Sequence, residues 1–330
     1  MVDVWLPLFG GLALLIAGGE LLVRGAVRVA TQLGVSPLVI GLTLVGFGTS
    51  TPELVTSAQA VLADAPGIAY GNIVGSNIAN ILLILGLAAL LSPIAIAPAA
   101  LKRDGLVMIA VAIAFAALAA AMPLGRVAGL AALSALMLYV YLAFRQERVA
   151  VPATGEAHSA AYDKSLALQE ADPTLAPKRR GQNGLLVSLV IAVGGLALIL
   201  VGGNFLVDGA VELARGLGVS EAVIGLTIVA VGTSMPELVT SIVAGLKRQG
   251  DVALGNVMGS NIYNVLGIGG FTALIAPGEV PAEIVGFDNL VMVAVSLALL
   301  LAAWTGQRIS RWEGGLLLTG YVGYLWLTWP

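Results

Sequence analysis

One segment of this chain occurs twice. Residues 34–86 align without a gap on residues 218–270, and 31 of the 53 aligned positions are identical. The identities concentrate in two polar motifs per copy, in a chain that is 58% hydrophobic and only 11% charged. Such a duplication restricts the fold to two copies of one structural unit, and it makes the duplicated polar motifs the expected place of function.

The composition indicates a membrane protein. The mean hydropathy is +0.98, and apolar stretches of about 20 residues, the length that crosses a bilayer as a helix, recur along the chain. The first stretch, residues 4–22, lacks a basic leader and a convincing cleavage site, so we expect a retained span rather than a signal peptide. The chain has no cysteine and one histidine, His158 in a polar stretch. Any bound metal would therefore meet oxygen ligands.

We predict an all-α membrane protein with about ten transmembrane helices. Each half supplies five of them, and an odd number of spans per repeat places the two copies in opposite orientations in the bilayer. The first repeat is residues 1–145, the second is residues 184–330, and residues 146–183 form a linker. The predicted spans, numbered 1 to 10, lie near residues 4–30, 37–63, 67–92, 104–121, 125–144, 184–210, 219–246, 252–276, 287–304 and 310–329.

The basic residues predict the orientation. With the N-terminus outside, the inner loops and their flanks carry 14 of the 16 Lys and Arg residues, and only Arg126 and Arg215 fall on the outer side. This asymmetry predicts that both termini lie outside and that the linker is cytoplasmic. The linker mixes Pro, Ala, Glu, Lys and Gln without an apolar period, so we expect a solvated tether, with a regulatory element as the alternative.

Two carboxylates lie in the middle of apolar spans. Glu53 is in span 2, and Glu237 is at the equivalent position of span 7. An ionisable side chain at that depth costs about 2.5–3.5 kcal/mol or more unless it is paired or lines a wet cavity. The spans place no basic residue at comparable depth, so a mobile cation is the expected partner.

Each carboxylate lies next to a predicted helix break. Gly46, Gly48 and Pro52 interrupt span 2, and Gly232 and Pro236 interrupt span 7. A break leaves backbone carbonyls free and starts a second half-helix beside the carboxylate. Carbonyl, hydroxyl and carboxylate oxygens are the ligands that suit Ca²⁺ or Na⁺ rather than Zn²⁺ or copper.

The same residues also fit a simpler interpretation. Ser50 with Glu53, and Ser234 with Glu237, match the Ser-x-x-Glu capping box of a helix N-terminus. We expect capping to hold in part. It is not expected to be the whole explanation, because a serine alone would cap each helix without burying a carboxylate.

The second polar motif of each copy adds further ligands. Ser76 and Asn80 are four residues apart and share one face of a continuous helix, as do Ser260 and Asn264. Hydrogen bonding between helices, without contact to an ion, is the alternative role of these four residues. Each motif also contains a Gly-x-x-x-Gly pair, which permits close approach of a neighbouring helix.

These motifs resemble those of a known family. Gly-Thr-Ser-x-Pro-Glu at 48–53 and 232–237, and Gly-Asn-x-x-Gly-Ser-Asn-Ile-x-Asn at 71–80 and 255–264, are similar to the two α-repeats of the calcium/cation antiporter superfamily, specifically the compact prokaryotic members of its sodium/calcium exchanger branch. The resemblance implies that Glu53 is one of two central Ca²⁺ ligands. The other implied ligands are Glu237, with Thr49 and Ser76 flanking one Na⁺ position, Thr233 and Ser260 flanking another, carbonyls at about Gly46 and Ala230, and Ser50, Ser234, Asn80 and Asn264 beside them.

The resemblance also bears on the coupling ion. Relatives often carry Asp at one of the two central amide positions, whereas Asn80 and Asn264 are both amides, so K⁺ co-transport and the coupling ratio stay open. The proton-coupled branch usually has Gly-Asn-x-x-Glu where this chain has Gly-Thr-Ser-x-Pro-Glu. The comparison favours Na⁺ over H⁺.

The implied function is an antiporter that exchanges Na⁺ for Ca²⁺ by alternating access and extrudes Ca²⁺ across a prokaryotic inner membrane. An H⁺/Ca²⁺ antiporter is the alternative. A cation channel is less favoured because the pseudo-symmetry lies within one chain rather than around an oligomeric axis, and an enzyme is not expected because the chain offers no nucleophile–base pair. The expected partners are Ca²⁺, Na⁺ and the lipid bilayer, without a resident cofactor or nucleic acid, and the chain is expected to act as a monomer.

Overall fold

The computed structural model describes residues 2–33, 46–96, 101–149, 162–164, 166, 185–306 and 308–329. The predicted start of span 2 and most of the linker, His158 included, lie outside these residues. The described residues are almost entirely helical, and their helices fall into ten consecutive segments that correspond to the ten predicted spans.

In the first repeat, spans 1 and 5 are single α-helices and spans 2 to 4 are divided into shorter segments. Its helices are Val2–Gln32 in span 1; Gly46–Gly48 and Thr51–Leu62 in span 2; Pro66–Ala79, the π-helix Asn80–Leu85 and Gly86–Leu91 in span 3; the π-helix Leu101–Gly105 and Leu106–Ala121 in span 4; and Arg126–Val149 in span 5.

The second repeat has the same order of long and segmented helices. They are Leu185–Leu217 in span 6; Glu221–Ile224, the π-helix Gly225–Val229, Ala230–Thr233 and Met235–Leu246 in span 7; Gly250–Ile262, the π-helix Tyr263–Gly269 and Gly270–Ile275 in span 8; the π-helix Ile284–Asp288 and Asn289–Gly306 in span 9; and Arg311–Thr328 in span 10.

Many large apolar side chains are exposed while a set of polar ones is buried, as expected of a protein surrounded by lipid. Within the described residues, six helices are long and apolar enough to cross a membrane, or seven if the bent pair Glu221–Thr233 and Met235–Leu246 is one span. The side chains of Leu186 and Trp326 are 73% and 78% exposed. Exposing them to water would be unfavourable, and contact with lipid avoids this cost. The chain is an integral membrane protein.

Two short β-bridges show that the repeats are inverted. Ile94–Ala95, after span 3, pairs antiparallel with Arg308–Ile309, before span 10. Leu124, after span 4, forms a bridge with Gly278, after span 8. Since span 4 separates residue 94 from residue 124, these bridges lie at opposite ends of the bundle. Residue 94 corresponds to 278 through the repeat offset of 184, so equivalent loops of the two repeats lie on opposite faces.

Spans 1 and 6 pack against each other through their backbones. A Cβ added at Gly18 would lie 2.8 Å from the carbonyl oxygen of Gly195, and one added at Gly11 would lie 2.6 Å from that of Gly202. Such distances leave no room for a side chain, so the two helices touch directly. The glycines recur every seven residues: Gly11, Gly18 and Gly25 on span 1, and Gly195, Gly202 and Gly209 on span 6.

Candidate cation site

Both predicted helix breaks lie directly before the carboxylates. Span 7 bends by 49° between Glu221–Thr233 and Met235–Leu246, and span 2 is interrupted between Gly46–Gly48 and Thr51–Leu62. Pro52 and Pro236 stand in the first turn of the second half-helix, where a missing backbone N–H is tolerated. The prediction of broken helices is confirmed, and each break places a Glu in the first turn of a helix at the centre of the bundle.

The serine before each carboxylate contacts the other repeat. Ser234 Oγ donates to Glu53 Oε1 at 3.1 Å, and Ser50 Oγ donates to Glu237 Oε1 at 3.4 Å. Neither serine forms a side-chain hydrogen bond to the N-terminus of its own helix. The expectation of partial capping is therefore wrong, because each hydroxyl is used by the carboxylate of the opposite repeat.

Two asparagines that sequence reasoning had left without a role hold the carboxylate turns in place. Asn72 Nδ2 donates to the backbone carbonyl of Glu53 at 3.2 Å, and Asn256 Nδ2 donates to that of Glu237, also at 3.2 Å. Both amides also donate to a serine four residues after the glutamate, Ser57 at 2.9 Å and Ser241 at 2.8 Å. The signal was present in the sequence, since these asparagines and serines are identical in both copies.

The predicted hydroxyl ligands lie close to the helix breaks. Ser76 Oγ donates to the carbonyl of Ala230 at 3.4 Å, and Ser260 Oγ donates to Glu237 Oε1 at 3.4 Å. Thr233 Oγ1 donates to Asn72 Oδ1 at 2.9 Å and to the carbonyl of Val229 at 3.0 Å. Spans 3 and 8 thus bring Ser76 and Ser260 to the break in span 7.

Asn80 and Asn264 do not continue the α-helices of Ser76 and Ser260. The helix of span 3 becomes a π-helix at Asn80, and that of span 8 becomes one at Tyr263, immediately before Asn264. Each helix runs on without a break, as expected, because Asn80 and Tyr263 keep α-helical dihedral angles, but its backbone hydrogen bonds change to the π pattern there. A π-segment shifts the register of the side chains that follow it and is frequent at functional sites. Asn80 Nδ2 donates to Asn261 Oδ1 at 2.9 Å.

The predicted ligand side chains are buried, and several of their oxygens have no donor. Glu53, Glu237 and the eight predicted hydroxyl and amide ligands are each at most 3% exposed. A buried oxygen without a partner costs about 1–3 kcal/mol, and a hard cation is a partner that oxygens of this kind accept. Among the described residues, the oxygens without a hydrogen-bond partner include Glu53 Oε2, Glu237 Oε2, Thr49 Oγ1, Asn80 Oδ1 and Asn264 Oδ1.

The backbone ligands implied for the two breaks have different surroundings. Ala230 starts the helix that ends at Thr233, and its carbonyl accepts from Ser76. Gly46 starts the short helix that leads into Thr49. The structure thus brings Ala230 together with the second polar motif of the first repeat.

A lysine of the linker lies inside this site. Lys164 Nζ forms an ion pair with Glu237 Oε1 at 3.1 Å, donates to Ser50 Oγ at 3.3 Å and contacts Ser260 Oγ. Its side chain is fully buried. Two expectations are therefore wrong: a basic residue does reach the depth of the carboxylates, and residues 162–164 of the linker are not a solvated tether.

Comparisons with known proteins agree over both repeats. The sequence profile of the family described as sodium/calcium exchanger protein matches residues 4–146 and 187–329. The putative antiporter CaxA of Alkalimonas amylolytica is 40% identical over 320 residues, covering 96% of both chains. The sodium/calcium exchanger MaX1 of Methanosarcina acetivorans is 39% identical over 342 residues, covering 97% of both.

A solved structure also shares the fold. The sodium-calcium exchanger NCX_Mj, in a crystal soaked with 10 mM Na⁺ and 10 mM Sr²⁺, superimposes with a TM-score of 0.61 at 33% identity and covers 97% of both chains. The match includes both repeats and the four segmented spans that carry the site. This chain belongs to the sodium/calcium exchanger protein family.

Proposed function

We propose that this protein is a secondary active antiporter that exchanges Na⁺ for Ca²⁺ by alternating access. The observation that carries the proposal is the pair of buried carboxylates, Glu53 and Glu237, each held by the opposite repeat and each with an oxygen that has no donor among the described residues. Two carboxylates match the charge of one divalent cation. The hydroxyl and amide oxygens around them suit Na⁺ as well.

Coupling follows from sharing the same oxygens. Ca²⁺ between Glu53 and Glu237 and Na⁺ at the Thr49/Ser76 and Thr233/Ser260 positions compete for one set of ligands, so only a suitably occupied site can close. The family resemblance implies three Na⁺ per Ca²⁺. One net charge then moves inward per cycle, and about 100 mV of membrane potential contributes about 2.3 kcal/mol to extrusion of Ca²⁺.

For exchange, the bound cation must be able to enter and leave the site from either side of the membrane. Spans 1 and 6 are joined through their glycines, so they can move as one unit across the segmented spans that hold the ligands. The names of the relatives support the same cargo: MaX1 and NCX_Mj are called sodium/calcium exchangers, and CaxA is called a putative antiporter.

Transport by purified protein tests the proposal. We expect proteoliposomes loaded with Na⁺ to take up radiolabelled Ca²⁺, and those loaded with K⁺ or carrying only a pH gradient not to do so. Equal uptake driven by a pH gradient without Na⁺ would assign H⁺/Ca²⁺ exchange instead. Uptake that needs no cation on the opposite side would indicate a channel.

Orientation in a prokaryotic inner membrane is part of the proposal. The placement of the basic residues supports external termini and a cytoplasmic linker. Because the chain lacks cysteine, Val2→Cys, Thr328→Cys and Ser165→Cys each give a single thiol. We expect the first two to react with an impermeant maleimide in intact cells and the third only after permeabilisation; labelling of Ser165→Cys in intact cells would contradict the orientation.

A further inference from the structure

We propose that residues 162–164 of the linker are a tethered blocker of the cation site, in which the ammonium group of Lys164 takes the place of a transported cation. The inference rests on the proposed function, because it assigns a competitor to the same site. Tyr162, Asp163 and Lys164 have helical backbone. Tyr162 packs on the main hydrophobic core, and the other two residues are buried.

The ammonium group is coordinated as a cation would be. Its three N–H donors meet three oxygens, Glu237 Oε1 at 3.1 Å, Ser50 Oγ at 3.3 Å and Ser260 Oγ, which accounts for the whole donor capacity of a lysine. The two hydroxyls come from different repeats, as do the two carboxylates assigned to Ca²⁺. Lys164 and a cation bound to Glu237 therefore exclude each other.

The charges of the site also indicate that Lys164 and Ca²⁺ exclude each other. The two carboxylates carry two negative charges when ionised, and Lys164 cancels one of them. Ca²⁺ is fully neutralised only when Lys164 has left, because a third positive charge in a buried site is strongly repelled by the other two. A seated linker thus opposes Ca²⁺ more than it opposes a single Na⁺ near Glu53.

The residue next to the lysine, Asp163, has its own seat in the site, which is the space left by the missing side chain of Gly255. A Cβ added at Gly255 would lie 2.7 Å from Asp163 Oδ2, and its three nearest atoms all belong to Asp163. The equivalent Gly71 faces the backbone of span 7 instead, where an added Cβ would lie 2.8 Å from the nitrogen of Leu226. One glycine of the duplicated motif therefore serves helix packing and its copy accommodates the linker.

Two aromatic side chains pack in the half of the site that holds the lysine. Lys164 Nζ lies 5.9 Å from the ring centre of Tyr263, within the range of a cation–π interaction. Tyr263 packs edge-on against Phe47, with ring centres 4.5 Å apart. The residues at the equivalent positions of the other repeat are Ala79 and Val231. An ammonium group is therefore better accommodated beside Glu237 than beside Glu53.

A blocker of this kind lowers the apparent affinity for ions that approach from the side of the linker. The observed dissociation constant equals the intrinsic one divided by the fraction of molecules whose site is free. Tethering keeps the lysine at a high local concentration, so the block does not depend on any soluble inhibitor. Saturating cations displace the linker, so the block shifts the midpoint of the concentration dependence and leaves the maximal rate unchanged.

Two variants test the block without removing an assigned ligand. Lys164→Met removes the charge at similar length, and Gly255→Ala fills the seat of Asp163. We expect both to lower the Ca²⁺ concentration for half-maximal Na⁺-driven uptake by about fivefold or more. Lys178→Met, which removes the same charge elsewhere in the linker, is the matched control and should match the wild type. Values for Lys164→Met and Gly255→Ala equal to those of Lys178→Met would overturn the proposal.

A second measurement does not depend on transport. Asp163→Cys is a single thiol at a position that is 3% exposed. We expect this thiol to react with a maleimide in detergent about tenfold more slowly than the same thiol in a protein that also carries Lys164→Met. Saturating Ca²⁺ should displace the linker and raise the labelling rate of Asp163→Cys. Equal rates in the two proteins would show that Lys164 does not hold the linker in the site.

The two measurements separate the block from the proposed function. If wild-type vesicles take up no Ca²⁺ in exchange for Na⁺ while Asp163→Cys is protected by Lys164, the cargo is wrong and the blocker stands. If Na⁺-driven uptake is normal while protection is absent and Lys164→Met behaves like Lys178→Met, the antiporter stands and the blocker is wrong.

Discussion

The two carboxylates of the site have equivalent backbones but different surroundings. Asn72 and Asn256 hold the carbonyls of Glu53 and Glu237 at the same distance of 3.2 Å. Beyond that, Glu53 Oε1 accepts a hydrogen bond from Ser234, whereas Glu237 Oε1 meets Lys164 and two serines.

This difference distinguishes the features that occur in both repeats from the feature that occurs once, the linker. The repeats supply two copies of a carboxylate, an amide and the hydroxyls around a broken helix. The linker occurs once, so whatever it contributes can reach only one half of the site. Variants at equivalent positions should therefore behave alike where the linker is remote and differently where it is in contact.

The largest effect is expected at the carboxylates. Glu53→Gln and Glu237→Gln should each reduce Ca²⁺ exchange by at least about 100-fold, since one charge near a cation is worth about 4 kcal/mol at an effective dielectric constant of about 20. Only Glu237→Gln removes the ion pair of Lys164, so only that variant should speed maleimide labelling of Asp163→Cys.

The matched control for the carboxylates is Asp208→Asn, which changes an exposed carboxylate on span 6. It should leave Ca²⁺ uptake and labelling unchanged. Near-normal uptake by either glutamine variant, in protein that still unfolds cooperatively on heating, would remove Glu53 or Glu237 from the site.

A smaller and equal effect is expected at the glycine contacts, which are remote from the linker. Gly11→Ala places a methyl group 2.6 Å from the carbonyl oxygen of Gly202, and the equivalent Gly195→Ala places one 2.7 Å from that of Gly18. Each should lower the free energy of unfolding by about 1–3 kcal/mol, measured by thermal unfolding in detergent. Gly10→Ala, with nothing within 4 Å, is the control; clearly unequal losses would contradict the symmetry.

The two asparagines sharpen the comparison at the turn itself. Asn72 Oδ1 accepts from Thr233 Oγ1 at 2.9 Å, whereas Asn256 Oδ1 has no donor among the described residues. Asn72→Ala should therefore cost about 1 kcal/mol more than Asn256→Ala. Thermal unfolding would measure this difference in the free energy of unfolding, with the exposed Asn204→Ala as the control. A greater loss of stability in Asn256→Ala than in Asn72→Ala would contradict the role given to the Thr233 hydrogen bond.

The smallest effect is expected at the neutral ligands. Ser76→Ala and Ser260→Ala should raise the Na⁺ concentration for half-maximal exchange about two- to fivefold, the worth of one neutral contact, with less change in the Ca²⁺ value. The shift should be smaller in Ser260→Ala, because that variant also removes a contact of the competing Lys164.

Exchange assays with the exposed Ser134→Ala on span 5 as control would measure these shifts. A loss of Ca²⁺ affinity with unchanged dependence on Na⁺, in both serine variants, would contradict the assignment of their hydroxyls to Na⁺ positions.

Much of this architecture could be predicted from the sequence because the repeat is so apolar and so regular. Helix breaks at Pro52 and Pro236 and the burial of both glutamates follow from local chemistry and from the cost of a charge in lipid. The inversion follows from an odd number of spans.

The remaining features depend on contacts between segments that are distant in the chain. Ser50 and Ser234 fit a capping box locally, and only the packed structure shows that the opposite carboxylate takes their hydroxyls. The change to π-helix at Asn80 has no local sequence signal. Lys164 lies in a polar stretch without a copy, so neither periodicity nor duplication could indicate its position.

The two β-bridges join the repeats to each other at both ends of the helix bundle. One joins the loop after span 3 to the loop before span 10, and the other joins the loops after spans 4 and 8. Neither bridge involves a loop next to span 1 or span 6. We therefore expect the ligand-bearing block to stay fixed while the two long helices slide past it, so that the permeability barrier changes sides and the cargo hardly moves.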